Sequence, residues 1–124
     1  MMNITRPLLE RRTKNPIEIG EMRVYATRIL NATDEFVHGL DVLKELFQLT
    51  NSIFGTDIEL LRINEMNFMR RLRPGEWVGL VFRLDHLEEG RLGKIATISF
   101  LAKRSSQGRY EKDVFSGSFR IRLL

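Results

Sequence analysis

The segment from Leu40 to Phe54, LDVLKELFQLTNSIF, limits the fold more than any other. At about 100° per residue, Val42, Leu43, Leu46, Phe47, Leu49, Ile53 and Phe54 gather on one broad side of a helix. Asp41, Lys44, Glu45, Gln48, Asn51 and Ser52 fall on the other side, and Gly55 supplies a stop. So wide an apolar side needs a large apolar surface to cover it. The rest of the chain offers one, because Ile58 to Phe68, Glu76 to Leu84, Lys94 to Ala102 and Asp113 to Leu123 all read as strands. In the last of these Phe115, Phe119, Ile121 and Leu123 share a face. EEGRLG and RSSQGR supply turns, and Glu21 to Leu30 reads as a further strand before the helix. One strand, one helix and four hairpin-joined strands call for an α+β domain, an antiparallel sheet covering a single helix. The same order also fits a small barrel with a lid helix.

A chain of 124 residues suits one domain spanning 1–124, with the stretch up to Pro16 as its one loose segment. Hydrophobic residues at 43% and charged residues at 29% fit a folded globular chain rather than a disordered one. Without cysteine, thiolate nucleophiles, disulfides and cysteine metal sites are excluded. MMNITRPLLERRTKN lacks the apolar run of a secretory signal, and no segment approaches the ~18 apolar residues of a membrane span. A cytoplasmic protein without membrane contact is expected.

The net charge of +4 and pI of about 9.8 favour an anionic partner. The arginines fall into separate groups at Arg11–Arg12, Arg70–Arg73, Arg104–Arg109 and Arg120–Arg122, with no helix-turn-helix, zinc or aromatic RNA-binding pattern around them. A phosphorylated small molecule or carrier is therefore expected before nucleic acid. His38 and His86 lie far apart with no paired-carboxylate motif, so no metal site is expected, and nothing calls for a cofactor. The serines of FSGSF follow a strand alternation rather than a nucleophile elbow.

From about Ile19 onward the chain resembles the hotdog fold of acyl-thioester enzymes and binding proteins, a long antiparallel sheet wrapped around one central helix. NFMRRLRPGEWVGLVFRL resembles the strand-turn-strand after the hotdog helix, and DVFSGSFRIRLL its closing strand. Three relatives compete. Hydroxyacyl-carrier-protein dehydratases share the F-x-x-x-L-R-P-G-E corner, but FVHGLDVLKEL lacks the proline of their glycine- and proline-rich catalytic loop. Long-chain acyl-CoA thioesterases of the mycobacterial type resemble the helix segment, with Asp41 opening it and Gln48, Leu49, Ser52 and Phe54 following. The malonyl-CoA-sensing repressor of fatty-acid synthesis resembles IGEM, LFQLTNS and VFSGSF, without a counterpart here of its DNA-binding helices.

The resemblance implies an acyl-CoA or acyl-carrier-protein thioester as ligand. Hydrolysis is the leading expectation, with dehydratase-like chemistry and non-catalytic binding as alternatives. Asp41, in the first turn of the helix, is the expected catalytic carboxylate, and the helix N-terminus offers free N–H groups to a thioester carbonyl. The other reading of Asp41 is a cap. Asn51 and His38 complete the catalytic set, with Gln48 and Glu45 lining a polar groove along the same helix face. That face is equally suited to contacts across a homodimer or dimer-based oligomer. Arg70, Arg71 and Arg73 are expected to hold phosphates or an acidic carrier. Their alternative is a charged hairpin that keeps an exposed edge from pairing.

Overall fold

The computed structural model describes residues 16–30, 34–106 and 109–124. Its elements are β1 (Met22–Arg28), α1 (Gly39–Phe54), β2 (Ile58–Phe68), β3 (Trp77–Gly90), β4 (Gly93–Ser106) and β5 (Arg109–Leu123). The strands form one sheet in the order β1-β3-β4-β5-β2. Every pairing is antiparallel. Because β1 and β2 are its two edges, the sheet is open, which excludes the barrel with a lid helix.

The helix starts at Gly39, one residue before the Leu40 expected from the sequence, after an extended His38 at φ −95° and ψ 163°. It stops at Gly55, whose left-handed φ of 69° turns its N–H back onto the Asn51 carbonyl at 2.8 Å. Val42, Leu46, Thr50 and Ile53 are its buried residues, with Phe47, Leu49 and Phe54 half-buried against the core. Thr50 breaks the apolar pattern, and its buried hydroxyl finds a partner by donating to the Leu46 carbonyl at 2.6 Å. Phe47 meets Phe119 of β5 edge to face at 5.6 Å, and Phe100 continues the aromatic stack at 5.8 Å from Phe119 and 6.0 Å from Phe115. Leu80, Phe82, Leu84, Ile98 and Ile121 are fully buried in the same core.

Three strands run longer than the sequence pattern predicts. β3 continues past Leu84 to Gly90, and His86 pairs with Thr97 in the ladder. A register shift between Leu84 and His86 conceals the continuation, because the extra residue resets the alternation. Asp85 there accepts from Arg83 Nε at 2.5 Å and Ser99 Oγ at 3.1 Å. β4 reaches Ser106 and β5 begins at Arg109, joined by the Lys103–Asp113 ion pair at 3.0 Å. The centre of the RSSQGR turn and the N-terminal stretch before Pro16 lie outside the described residues.

β2 behaves differently from the inner strands. Among the described residues it pairs only with β5, is irregular at Leu60/Arg62 and Ile63/Glu65, and leaves Leu60, Leu61, Ile63 and Phe68 exposed.

Candidate functional site

At the start of α1 the His38 N–H donates to Asp41 Oδ2 at 2.9 Å, so the Asp41 carboxylate serves as a cap. The His38 ring is turned outward, with Nε2 2.5 Å from Asp34 Oδ2, both side chains exposed. Phe68, at the end of β2, lies over the first helical residue. A Cβ on Gly39 would come within 2.9 Å of the Phe68 ring, so only glycine allows this approach.

One turn further on, Glu45 occupies a different environment. It enters a narrow slot between the helix and the β1/β3 side of the sheet, with Thr27, Val42, Leu49, Val78, Leu80 and Phe115 among the walls. The slot has a volume of about 20 Å³, which is enough for one water molecule. Burial among these apolar walls raises the Glu45 pKa above the ordinary carboxylate value, and the neighbouring Lys44 charge offsets part of that rise.

The other residues of this helix face do not share the slot. Gln48 is exposed, and its carbonyl accepts from Ser52 Oγ at 3.1 Å. Asn51 lies near the helix C-terminus, at an open depression of about 460 Å³ formed with Ser52, Gly55, Thr56 and Asp57. Its Oδ1 is buried and accepts no hydrogen bond from the described residues. The single polar groove expected along the helix is therefore divided between its two ends.

The arginine cluster does come together. Arg73–Glu76 forms a type II turn, closed by Glu76 N–H to the Arg73 carbonyl at 3.2 Å. Pro74 suits its second position, and Gly75, at φ 86°, adopts at the third a conformation that a side chain would strain. Gly75 N–H donates to Ile29 O at 2.9 Å, Val37 N–H to Leu72 O at 2.7 Å, and Met69 N–H to Val114 O at 2.8 Å. Leu72, 3% exposed, anchors the segment in the core, and the flanking Arg71 and Arg73 are exposed. Arg70, Arg71, Arg73, Phe36, Glu76 and Arg104 line one open cavity of about 480 Å³. The Arg71 and Arg73 guanidinium groups lie 5.0 and 5.4 Å from the Phe36 ring centroid. Glu76 accepts from Arg73 N–H at 2.7 Å and pairs with Arg104 Nε at 3.2 Å, and Arg104 also donates to the Arg71 carbonyl.

Phe36, Glu76 and Arg104 are the members of this cavity that sequence reasoning misses. Arg104 belongs to a different arginine group along the chain, and only the β3/β4 register, Val78 opposite Arg104, carries it to the turn. Among the described residues no group of three His, Asp or Glu side chains is placed to hold a metal ion, and no helix is long and apolar enough to cross a membrane.

No protein-family model and no curated protein matches the sequence. The fold, in contrast, has many solved counterparts. A substituted acyl-CoA hydrolase of Staphylococcus aureus, in complex with coenzyme A, aligns at TM-score 0.65 and 7% identity over 88% of this chain and 69% of its own. A Streptococcus mutans protein bound to acetyl-CoA aligns at TM-score 0.61 and 16% identity, covering 87% and 84% of the two chains. A hexameric acyl-CoA thioesterase aligns at TM-score 0.64 and 9% identity, covering 88% and 74%. The open five-stranded antiparallel sheet around one helix is the hotdog fold, as the sequence resemblance implied.

Proposed function

We propose that this protein hydrolyses acyl-CoA thioesters. The observation that carries the reading is Glu45, a half-buried helix carboxylate of raised pKa, beside a slot with room for one water. Water held there gives a proton to the Glu45 carboxylate while its oxygen attacks the thioester carbonyl carbon. The carbonyl oxygen becomes an oxyanion, and the free N–H groups at the start of α1 are the donors that oppose its charge. Collapse of the tetrahedral intermediate breaks the C–S bond, and the leaving thiolate takes up the proton that Glu45 received from water, which restores the carboxylate. The products are a carboxylic acid and free coenzyme A. Asp41 positions the helix start through its cap, and His38 remains on the surface with Asp34.

The active form is proposed to be a homodimer in the cytoplasm. β2 is an 11-residue edge strand with a row of exposed apolar side chains, and pairing it with β2 of a second copy removes that edge. The solved hexameric thioesterase of this fold supports assembly beyond one chain. Sedimentation at micromolar concentration tests this, and a strict monomer contradicts it. A carrier-protein thioester is the alternative substrate, and binding without turnover is the second reading, favoured by the engagement of Asp41 in the cap. Acyl-CoA and acyl-carrier panels, read by thiol release and by enoyl absorbance, separate these outcomes. Thiol release from acyl-CoA is expected, whereas binding without release leaves the second reading.

A further inference from the structure

We infer that the cavity at the Arg73–Glu76 turn is a subsite for a compact phosphorylated anion, the phosphate-bearing nucleotide end of coenzyme A. The identity of that anion rests on the acyl-CoA reading above, whereas the existence of a site rests on the cavity alone. Four guanidinium groups border one cavity against a single carboxylate, Glu76. Among the described residues Arg70, Arg71 and Arg73 have no carboxylate within ion-pair distance, so their like charges remain uncompensated until an anion enters. Arginine suits this role because its planar donors grip phosphate in pairs.

The cavity is also built rather than accidental. Buried Leu72 fixes the segment, so Arg71 and Arg73 leave it on the same side. Both guanidinium groups lie near Phe36, and Arg104 ties the turn to β4 through Glu76 and the Arg71 carbonyl. Such bracing lowers the entropy lost when a ligand is gripped. A volume of about 480 Å³ lies within the usual range of small-ligand sites and exceeds what a lone phosphate needs. The concave, braced arrangement favours a small multivalent anion over the acidic surface of a carrier protein, which spread cations on a convex face would meet better.

Adenosine 3′,5′-bisphosphate, coenzyme A, dephospho-coenzyme A and pantetheine, each titrated calorimetrically into the full chain at low and high salt, test the inference. The bisphosphate and coenzyme A should bind, dephospho-coenzyme A should bind more weakly, and pantetheine should not bind at the same concentrations. The double variant R71Q/R73Q should weaken bisphosphate binding by about tenfold or more and flatten its salt dependence. Glu76→Gln, which keeps an oxygen for the Arg73 N–H and removes the competing charge, should tighten it. If the double variant does not fold, Arg70→Gln carries the same test with a smaller expected loss. Unchanged bisphosphate affinity in the arginine variants overturns the subsite, as does pantetheine binding as tightly as coenzyme A. Inorganic phosphate competing as strongly as the bisphosphate overturns the nucleotide assignment. Hydrolysis of acyl-CoA with a KM indifferent to the double variant rejects the subsite and leaves the hydrolase reading standing. Bisphosphate binding without any acyl-CoA hydrolysis does the reverse.

Discussion

The Glu45 slot and the arginine cavity use charge in opposite ways. Glu45 sits in a space of about 20 Å³ walled by core side chains, where burial outweighs the Lys44 charge and shifts the proton equilibrium of one carboxyl group. The arginines surround a cavity of about 480 Å³ open to solvent, where water screens each charge and only their number makes the site strong. A narrow apolar site changes what one group does, whereas an open polar site changes what the molecule attracts. The slot is inseparable from the core, because Val42, Leu80 and Phe115 line the one and belong to the other. Apart from its Leu72 anchor, the cavity is a surface structure.

That contrast sets the order of expected effects. Glu45→Gln, nearly isosteric, should reduce acyl-CoA hydrolysis by about 10²-fold or more, the scale for losing a general base. A rate near the parent's in a thiol-release assay would break the distinction at once. Next, Leu46→Ala, which empties core volume beside the slot, should cost about 2–5 kcal/mol in denaturant unfolding. Arg71→Gln in the same assay should stay within ~0.5 kcal/mol. Equal losses would mean that the cavity too is part of the core. Asp41→Ala should cost about 1 kcal/mol through the lost cap, and Asp41→Asn less, since asparagine caps comparably. If Asp41→Asn instead lowers turnover as far as Glu45→Gln, the catalytic carboxylate is Asp41. His38→Ala should be the quietest change, within ~0.5 kcal/mol and with turnover near the parent's, because its pair with Asp34 is exposed.

The fold was legible because the helix period and the strand alternation are each nearly unbroken, and α1 and β2 fall within one residue of where those patterns place them. The ends of the hairpins were not. A bulge at Asp85 interrupts the alternation, so the outer part of β3, including His86, resembles turn sequence although it continues the ladder. At the site, Arg70, Arg71 and Arg73 were visible as one group, while Arg104 and Phe36 join them only through strand register and the path of the chain before α1. Glu45 was legible as a polar position on the helix, but its difference from Asp41 was not. The helical period places both on the same side, and only the approach of β1 and β3 sets Glu45 against apolar walls while Asp41 caps the helix start.

The raised Glu45 pKa has a definite sign in both stability and rate. A folded-state carboxyl that holds its proton more tightly than the unfolded one stabilises the fold in acid, and this contribution is lost as pH rises through the raised pKa. Hydrolysis runs the other way, since the base acts only when ionised. The most direct test is the pH dependence of kcat/KM for acyl-CoA hydrolysis, measured for the parent and for Glu45→Gln. The parent should gain activity with rising pH through a midpoint above the ordinary carboxylate value, and the variant should lose that limb together with most of its rate. The same limb persisting in Glu45→Gln would contradict the assignment of the slot as the place where water is activated.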